Sequence, residues 1–270
     1  MPHPRFEELV QIMARLRAPD GCPWDREQTH ATLRSYLLEE SHEAIEAVDA
    51  GDDGALCEEL GDVLLQIVFH AQIAAEQGRF TIDDVCGAIA DKLVRRHPHV
   101  FGDVQVRDAD HVKANWDQIK RGEKGAAADT HSALDGVPAH LPALLRAQRL
   151  QERASQKGFD WDRIDGPLDK VAEELEEVRG AWAAAGSALL EPEPRRRLEE
   201  EFGDLLFALV NAARFLKVTP EDALRRAAGK FETRFREVEK TFRARGRDLD
   251  GATLEEMDAI WDQVKEREGH

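Results

Sequence analysis

Two short acidic patterns each occur twice in this chain, in the same order both times. The first copy reads Glu39-Glu40-x-x-Glu43 and then Glu59-x-x-Asp62. The second reads Glu173-Glu174-x-x-Glu177 and then Glu201-x-x-Asp204. At about 100° per helical residue, Glu173 and Glu177 stand about 40° apart, and Glu201 and Asp204 about 60° apart, so each set shares a helix face. The acids border apolar stripes: Val171, Leu175 and Val178 beside Glu174, Leu198, Leu205 and Leu209 beside Asp204, and Leu56, Val63 and Ile67 beside Asp62. The run from Leu205 to Val210 is apolar on nearly all sides, which predicts that Asp204 lies at least partly inside a bundle. Packed side by side, the two helices of a copy aim four carboxylates into one space. A lone Glu-rich helix ordinarily turns its acids to water. Clustered carboxylates drawn away from water instead repel, and must be protonated or compensated. Hard divalent cations compensate them, and Mg²⁺ binds through a few carboxylates plus substrate phosphates.

Basic and aromatic residues follow each acidic set. Lys92-x-x-x-Arg96 and Trp116-x-x-x-Lys120 follow the first; Lys230-x-x-x-Arg234 and Trp261-x-x-x-Lys265 follow the second. A cation pair on one helix face, opposite metal-holding acids, suits a polyphosphate. Ion pairing to neighbours such as Glu232 or Glu237 is the plainer alternative for Lys230 and Arg234. Trp261 is open to two readings, core packing or stacking on a base while Lys265 holds a phosphate.

The elements that must position these residues are helices. Helical periodicity runs through residues 5–17, 31–50, 54–77, 82–97, 109–122, 141–157, 167–185, 195–216, 220–245 and 254–268. Start signals agree: Thr219-Pro220-Glu221 reads as an N-cap, a first-turn Pro and a first-turn acid, Thr253 with Glu256 as a capping box, and Thr81 with Asp84 as a looser one. No stretch alternates as a strand does, so the fold class is all-α. A small, polar stretch carries Gly122, Gly125, Ala126 to Ala128 and Pro138. It divides the chain into two tandem helical-bundle domains, 1–122 and 139–270, joined by a linker at 123–138. The order Trp-Asp, EExxE, ExGD, KxxxR, WxxxK recurs in both halves, from Trp24-Asp25 to Lys120 and from Trp161-Asp162 to Lys265, as a duplication requires.

Composition narrows the function. The 270 residues are 42% hydrophobic and 34% charged, with a formal net charge of −17. Such acidity opposes non-specific nucleic-acid binding, and an anionic substrate needs metal ions plus placed Lys or Arg to approach. Cys22, Cys57 and Cys86 lack CxxC spacing and read as reduced cytoplasmic thiols. No signal-peptide core or membrane-length apolar run is present. Glu39-x-x-His42 supplies one of the two Glu-x-x-His motifs of a di-iron carboxylate bundle, but its counterpart, Glu173-x-x-Glu176, lacks the His. A non-catalytic acidic interaction module leaves the paired acids and the KxxxR motifs unexplained. No P-loop, Rossmann glycine motif or nucleophilic triad is present, and His97-Pro98-His99 reads as a helix-ending turn rather than a metal site.

The EExxE and ExxD pairs followed by KxxxR and WxxxK resemble the MazG family of all-α nucleoside triphosphate pyrophosphohydrolases. The resemblance covers nearly the whole chain, including Gly21-Cys22-Pro23-Trp24-Asp25, Arg95-Arg96-His97-Pro98-His99-Val100-Phe101, Gly158-Phe159-Asp160-Trp161 and Phe231-x-x-Arg234-Phe235. It implies Mg²⁺-dependent cleavage of a nucleoside triphosphate such as ATP to the monophosphate and pyrophosphate, with Mn²⁺ as a substitute metal. It also implies broad base tolerance, a housekeeping role in the nucleotide pool and a homodimer. By the same resemblance Glu174, Glu177, Glu201 and Asp204 are metal ligands, and Lys170, Lys230, Arg234, Trp261 and Lys265 line the nucleotide site. Glu173 is the candidate to orient or deprotonate the attacking water.

Family members with two copies usually catalyse with the C-terminal one. One difference points the same way: three residues before the first Glu stands Lys170 in the second copy and Tyr36 in the first. Glu40, Glu43, Glu59 and Asp62 remain a second candidate metal set, with Lys92, Arg96, Trp116 and Lys120 as counterparts of the nucleotide contacts.

Overall fold

The structure is a computed structural model that describes residues 4–108, 111–112, 115–116, 119 and 132–268. Lys120, much of the expected helix 109–122 and the first part of the expected linker 123–138 lie outside the described residues. Every regular element among those described is helical. The chain divides into two compact units, residues 1–126 and 127–270.

In the first unit, α1 (Pro4–Leu16), α2 (Pro23–Glu27), α3 (Arg34–Ala50), α4 (Asp53–Glu76), α5 (Ile82–Arg96) and α6 (Pro98–Phe101) follow in order. Helix α4 is central, packing on α3, α1 and α5. The α3–α4 turn is two residues long because each does a backbone job. Gly51 ends α3 with a left-handed φ of 67°, which a side chain would strain. Asp52 caps α4 by accepting from the N–H groups of Gly54 and Ala55 at 2.9 and 3.0 Å. So short a turn folds α3 back along α4 and sets Glu40 and Glu43 opposite Glu59. The core beneath is solid: Met13, Leu33, Val68, Phe69 and Ile73 are all fully buried.

In the second unit, α7 (Ala143–Ser155), α8 (Asp165–Ala185), α9 (Pro192–Phe215), α10 (Pro220–Ala244) and α11 (Leu254–Glu268) repeat the plan, with a 3₁₀ turn at Gly186–Ala188. Helix α9 packs on α8, α7 and α10. Helices α10 and α11 form a hairpin around Val238, Phe242, Ile260 and Val264.

Start signals were realised to different degrees. Thr81 and Asp84 form a full capping box rather than the looser version expected. Thr253 and Glu256 exchange reciprocal bonds at 3.3 and 3.2 Å, and the Arg247 guanidinium holds Glu256 down at about 2. Thr219 occupies the N-cap position before Pro220, yet its hydroxyl accepts no capping bond. His97 closes α5, its Nδ1 2.7 Å from the Leu93 carbonyl oxygen, and Pro98 opens α6, so this segment is the helix-ending turn expected. Helices α2 and α6 are too short to show a period.

One expectation is corrected. Asp204 is exposed, not inside a bundle, and Phe202, Leu206, Phe207 and Leu209 around it are also largely exposed. The apolar run has more surface than α7, α8 and α10 can cover, so only Ala208 and Val210 of that stretch are buried.

Candidate metal and nucleotide site

The α8–α9 pair builds the better furnished of two acidic clusters. Glu174, Glu177 and Glu201 each place a carboxylate oxygen within 4.8 Å of the others. Glu174 is only 5% exposed. Its Oε1 lies 2.7 Å from Lys170 Nζ, while its Oε2 is buried with no hydrogen-bond partner. Glu177 is pushed above the ordinary glutamate range, first by the charge of Glu174, then by burial and by Glu201. Lys170 also reaches Glu173 at 2.8 Å, and the two carboxylates hold its ammonium well above the usual lysine range.

A buried, unpartnered carboxylate oxygen on an acid clustered with two others costs free energy unless a cation shares the space. The donors are all hard oxygens, as Mg²⁺ requires. The residues present therefore fit the expected metal.

The first unit repeats the cluster with less support. Glu40, Glu43 and Glu59 lie within the same 4.8 Å spacing. Burial, then Asp62, Glu43 and Glu59, raises the Glu40 carboxyl; burial, then Glu43 and Asp62, raises Glu59. Tyr36 rests edge-on against Trp24, with ring centroids 5.9 Å apart, and supplies no cation.

Asp204 stands outside the three-glutamate cluster but joins Lys170 and Glu174 in lining an adjacent cavity of about 530 Å³. Trp161 forms another wall. It lies close enough to α8 that a Cβ on Gly166 would meet its ring at 2.1 Å, so only glycine fits there. Glu173 is exposed and paired with Lys170, outside the cluster.

The KxxxR and WxxxK motifs meet each other in both units. The Arg96 guanidinium lies over the Trp116 ring at 5.3 Å, and that of Arg234 over Trp261 at 5.8 Å. Trp261 also packs on Phe231 and on the α10–α11 core, which favours the packing reading of that residue. Lys265 lies 3.6 Å from Asp262. Lys230 is exposed on α10 and Lys92 half-buried on α5. None of the described ion pairs or ring contacts links Lys230, Trp261 or Lys265 to the α8–α9 carboxylates.

The structure adds residues that spacing alone did not raise. Arg197 Nε lies 3.7 Å from Glu201 across one helical turn, a pairing that i,i+4 spacing could have flagged. Asn211 interrupts the apolar run of α9, which is a visible signal. Gln151 on α7 carried none.

These findings define an all-α protein with a duplicated helical-hairpin carboxylate site. A family model for the MazG nucleotide pyrophosphohydrolase domain matches residues 28–101 and 167–239, and the chain belongs to that family. It is 49% identical over 265 residues to the nucleoside triphosphate pyrophosphohydrolase of Escherichia coli K12, covering 98% of each chain. It is 48% identical over 260 residues to the nucleoside triphosphate pyrophosphohydrolase/pyrophosphatase MazG of Thermotoga maritima, covering 96% of this chain and 95% of that one. An uncharacterized Bacillus subtilis protein, YabN, is 47% identical over 97% of this chain and 52% of its own length.

Proposed function

We propose that this enzyme is a nucleoside triphosphate pyrophosphohydrolase that cleaves its substrate to the monophosphate and pyrophosphate at the α8–α9 site. The observation that carries this reading is the buried, unpartnered Oε2 of Glu174 among Glu177 and Glu201. Full-length relatives named for the same activity support it.

Glu174, Glu177, Glu201 and Asp204 would hold Mg²⁺, with Mn²⁺ as a substitute; when bound, the ion neutralises phosphate charge and acidifies a water. Glu173, exposed outside the cluster, orients or deprotonates the attacking water. Lys170 passes from its two carboxylate partners to a phosphate oxygen once the acids are compensated. Lys230, Arg234 and Lys265 stabilise charge developing on the phosphates, and Trp261 holds Arg234 in place. In-line attack at the α-phosphorus then expels pyrophosphate.

The first unit, with Glu40, Glu43, Glu59 and Asp62 but Tyr36 in place of Lys170, binds metal without turning over. The protein acts as a homodimer with broad base tolerance, cleaning the nucleotide pool of the cytoplasm, where its three free cysteines stay reduced. No helix of the described residues is long and apolar enough to cross a membrane. The exposed apolar residues Leu175 and Trp182 on α8 and Phe202, Leu206 and Leu209 on α9 favour the dimer.

The test is a pyrophosphate-release assay across ribo- and deoxynucleoside triphosphates with and without Mg²⁺. Metal-dependent monophosphate and pyrophosphate are expected. A diphosphate and inorganic phosphate as products would reject attack at the α-phosphorus.

A further inference from the structure

The 530 Å³ cavity beside Glu174 has a lining that phosphate binding does not account for. Phe159, Trp161 and Phe207 give it aromatic walls, and two buried amides, Gln151 and Asn211, give it polar groups. Neighbours fix the orientation of both amides. Gln151 donates from Nε2 to the Phe207 carbonyl oxygen at 2.8 Å, which leaves its buried Oε1 without a partner. Asn211 Oδ1 accepts from Nε and Nη2 of Arg214 at 3.0 and 2.8 Å. Arg214 is itself clamped by Asp160, at 2.9 and 2.5 Å. Asn211 Nδ2 donates to none of the described residues. The residues lining the cavity thus include one amide with a free acceptor and one with a free donor, beside aromatic walls.

The first unit lacks this arrangement at matching positions. Ten residues before the Trp-Asp pair stands Ala14 in the first unit and Gln151 in the second. Seven residues after the motif Asp stands Phe69 in the first and Asn211 in the second; ten after it, Gln72 and Arg214. Before the motif Trp, Pro23 matches Asp160. Phe69 is 3% exposed and packs with Met13, Leu33 and Ile73. At the Asn211 position the first unit has core Phe69, while its Ala14 and Pro23 are exposed and apolar where the second unit has Gln151 and Asp160.

We propose that this cavity receives the nucleobase of the substrate, and that Gln151 Oε1 and Asn211 Nδ2 engage its hydrogen-bonding edge. The proposal rests on the nucleotide reading given above. The volume lies in the usual range for small-molecule sites, and aromatic walls stack any base. A triphosphate would not choose an apolar chamber, and a ribose would leave its walls uncovered. Each natural base carries a donor beside an acceptor on one edge: amino beside ring nitrogen in adenine and cytosine, ring N–H beside carbonyl in guanine and uracil. One acceptor and one donor therefore serve all four, whereas two acceptors would not. A base that donates to Gln151 Oε1 also relieves an oxygen that is otherwise buried and unsatisfied.

The experiment compares Asn211→Asp with the unaltered enzyme on the four ribonucleoside triphosphates and on ribose 5-triphosphate, which has no base. Asp keeps an acceptor for Arg214 but replaces the Nδ2 donor. The ratio of kcat/KM for each nucleoside triphosphate to that for the base-free compound is expected to fall by about 10-fold or more, with the base-free compound least affected. The same factor for all five compounds would overturn the proposal. Gln151→Met, which keeps length but removes both polar atoms, repeats the test if Asn211→Asp misfolds. It is read by the same ratios, with the same overturning result. If the unaltered enzyme releases pyrophosphate from none of these compounds, the nucleotide reading itself fails. If it does so and the variants show no base-dependent change, only the present proposal fails.

Discussion

Lys170 Nζ and Glu174 Oε1 are 2.7 Å apart across one turn of α8, while the matching positions in the first unit hold Tyr36 and Glu40. This pair ties the proposed phosphate-binding cation to the most buried acid of the site. Replacing Lys170 with Ala is expected to lower kcat/KM by about 10–100-fold, the usual cost of removing a group that supports a metal ligand. Steady-state kinetics under saturating Mg²⁺ checks it; an unchanged kcat/KM would remove Lys170 from the site.

The two acidic clusters are expected to behave differently. Replacing Glu174 and Glu177 together with Ala should reduce turnover by more than about 100-fold, because metal ligands outrank the groups that support them. Replacing Glu40 and Glu43 should leave turnover within a few-fold while lowering the number of Mn²⁺ bound per chain. Equilibrium dialysis and the pyrophosphate assay report the two effects separately. Loss of activity only in the Glu40 and Glu43 variant would move catalysis to the first unit.

Crowding among the acids sets a pH signature. Glu177 is held above its ordinary value of 4.5 by Glu174, burial and Glu201. A carboxyl whose folded pKa is raised supports folding fully below the unfolded value and loses that support as pH rises through the folded one. Without metal, Glu177→Gln should therefore gain stability relative to the unaltered protein as pH climbs through the interval directly above 4.5. Adding Mg²⁺ should shrink the difference. Denaturant melts of both proteins at several pH values, with and without Mg²⁺, measure it; a difference that falls with rising pH would contradict the sign.

Phe242 is fully buried between α10 and α11. Truncating it to Ala should cost about 3–5 kcal/mol, the range for emptying a buried aromatic site. Because Trp261 leans on the same cluster and carries Arg234, KM should rise in whatever fraction remains folded. Urea melts and kinetics below the transition check both parts.

Leu206 and Trp182 are 42% and 63% exposed on neighbouring helices. Leu206→Glu or Trp182→Glu should convert a dimer to monomer at micromolar protein, as read by light scattering. A wild-type monomer under the same conditions would refute the homodimer.

The all-α class, the duplication and the acidic pairs could be read in the sequence because each has a period or a spacing. Glu40 with Glu59, and Glu174 with Glu201, met as the wheel geometry predicts. The exposure of Asp204 could not be read, since an apolar run does not say how many neighbours will cover it. Nor could the Gln151 and Asn211 pair, because it arises between α7 and α9 and neither residue has a repeating partner. The α2 and α6 helices are shorter than the window over which a helical period shows.

The Phe69 and Asn211 difference bears on how the molecule tolerates heat. Where the first unit packs Phe69 against Met13 and Leu33, the second leaves a chamber bordered by buried amides and a buried carboxylate. Voids and unsatisfied polar groups lower local stability. The half proposed to carry the chemistry is then the softer half. Warming is expected to silence the enzyme while the sister half is still folded, so thermal inactivation and the last calorimetric transition should part company.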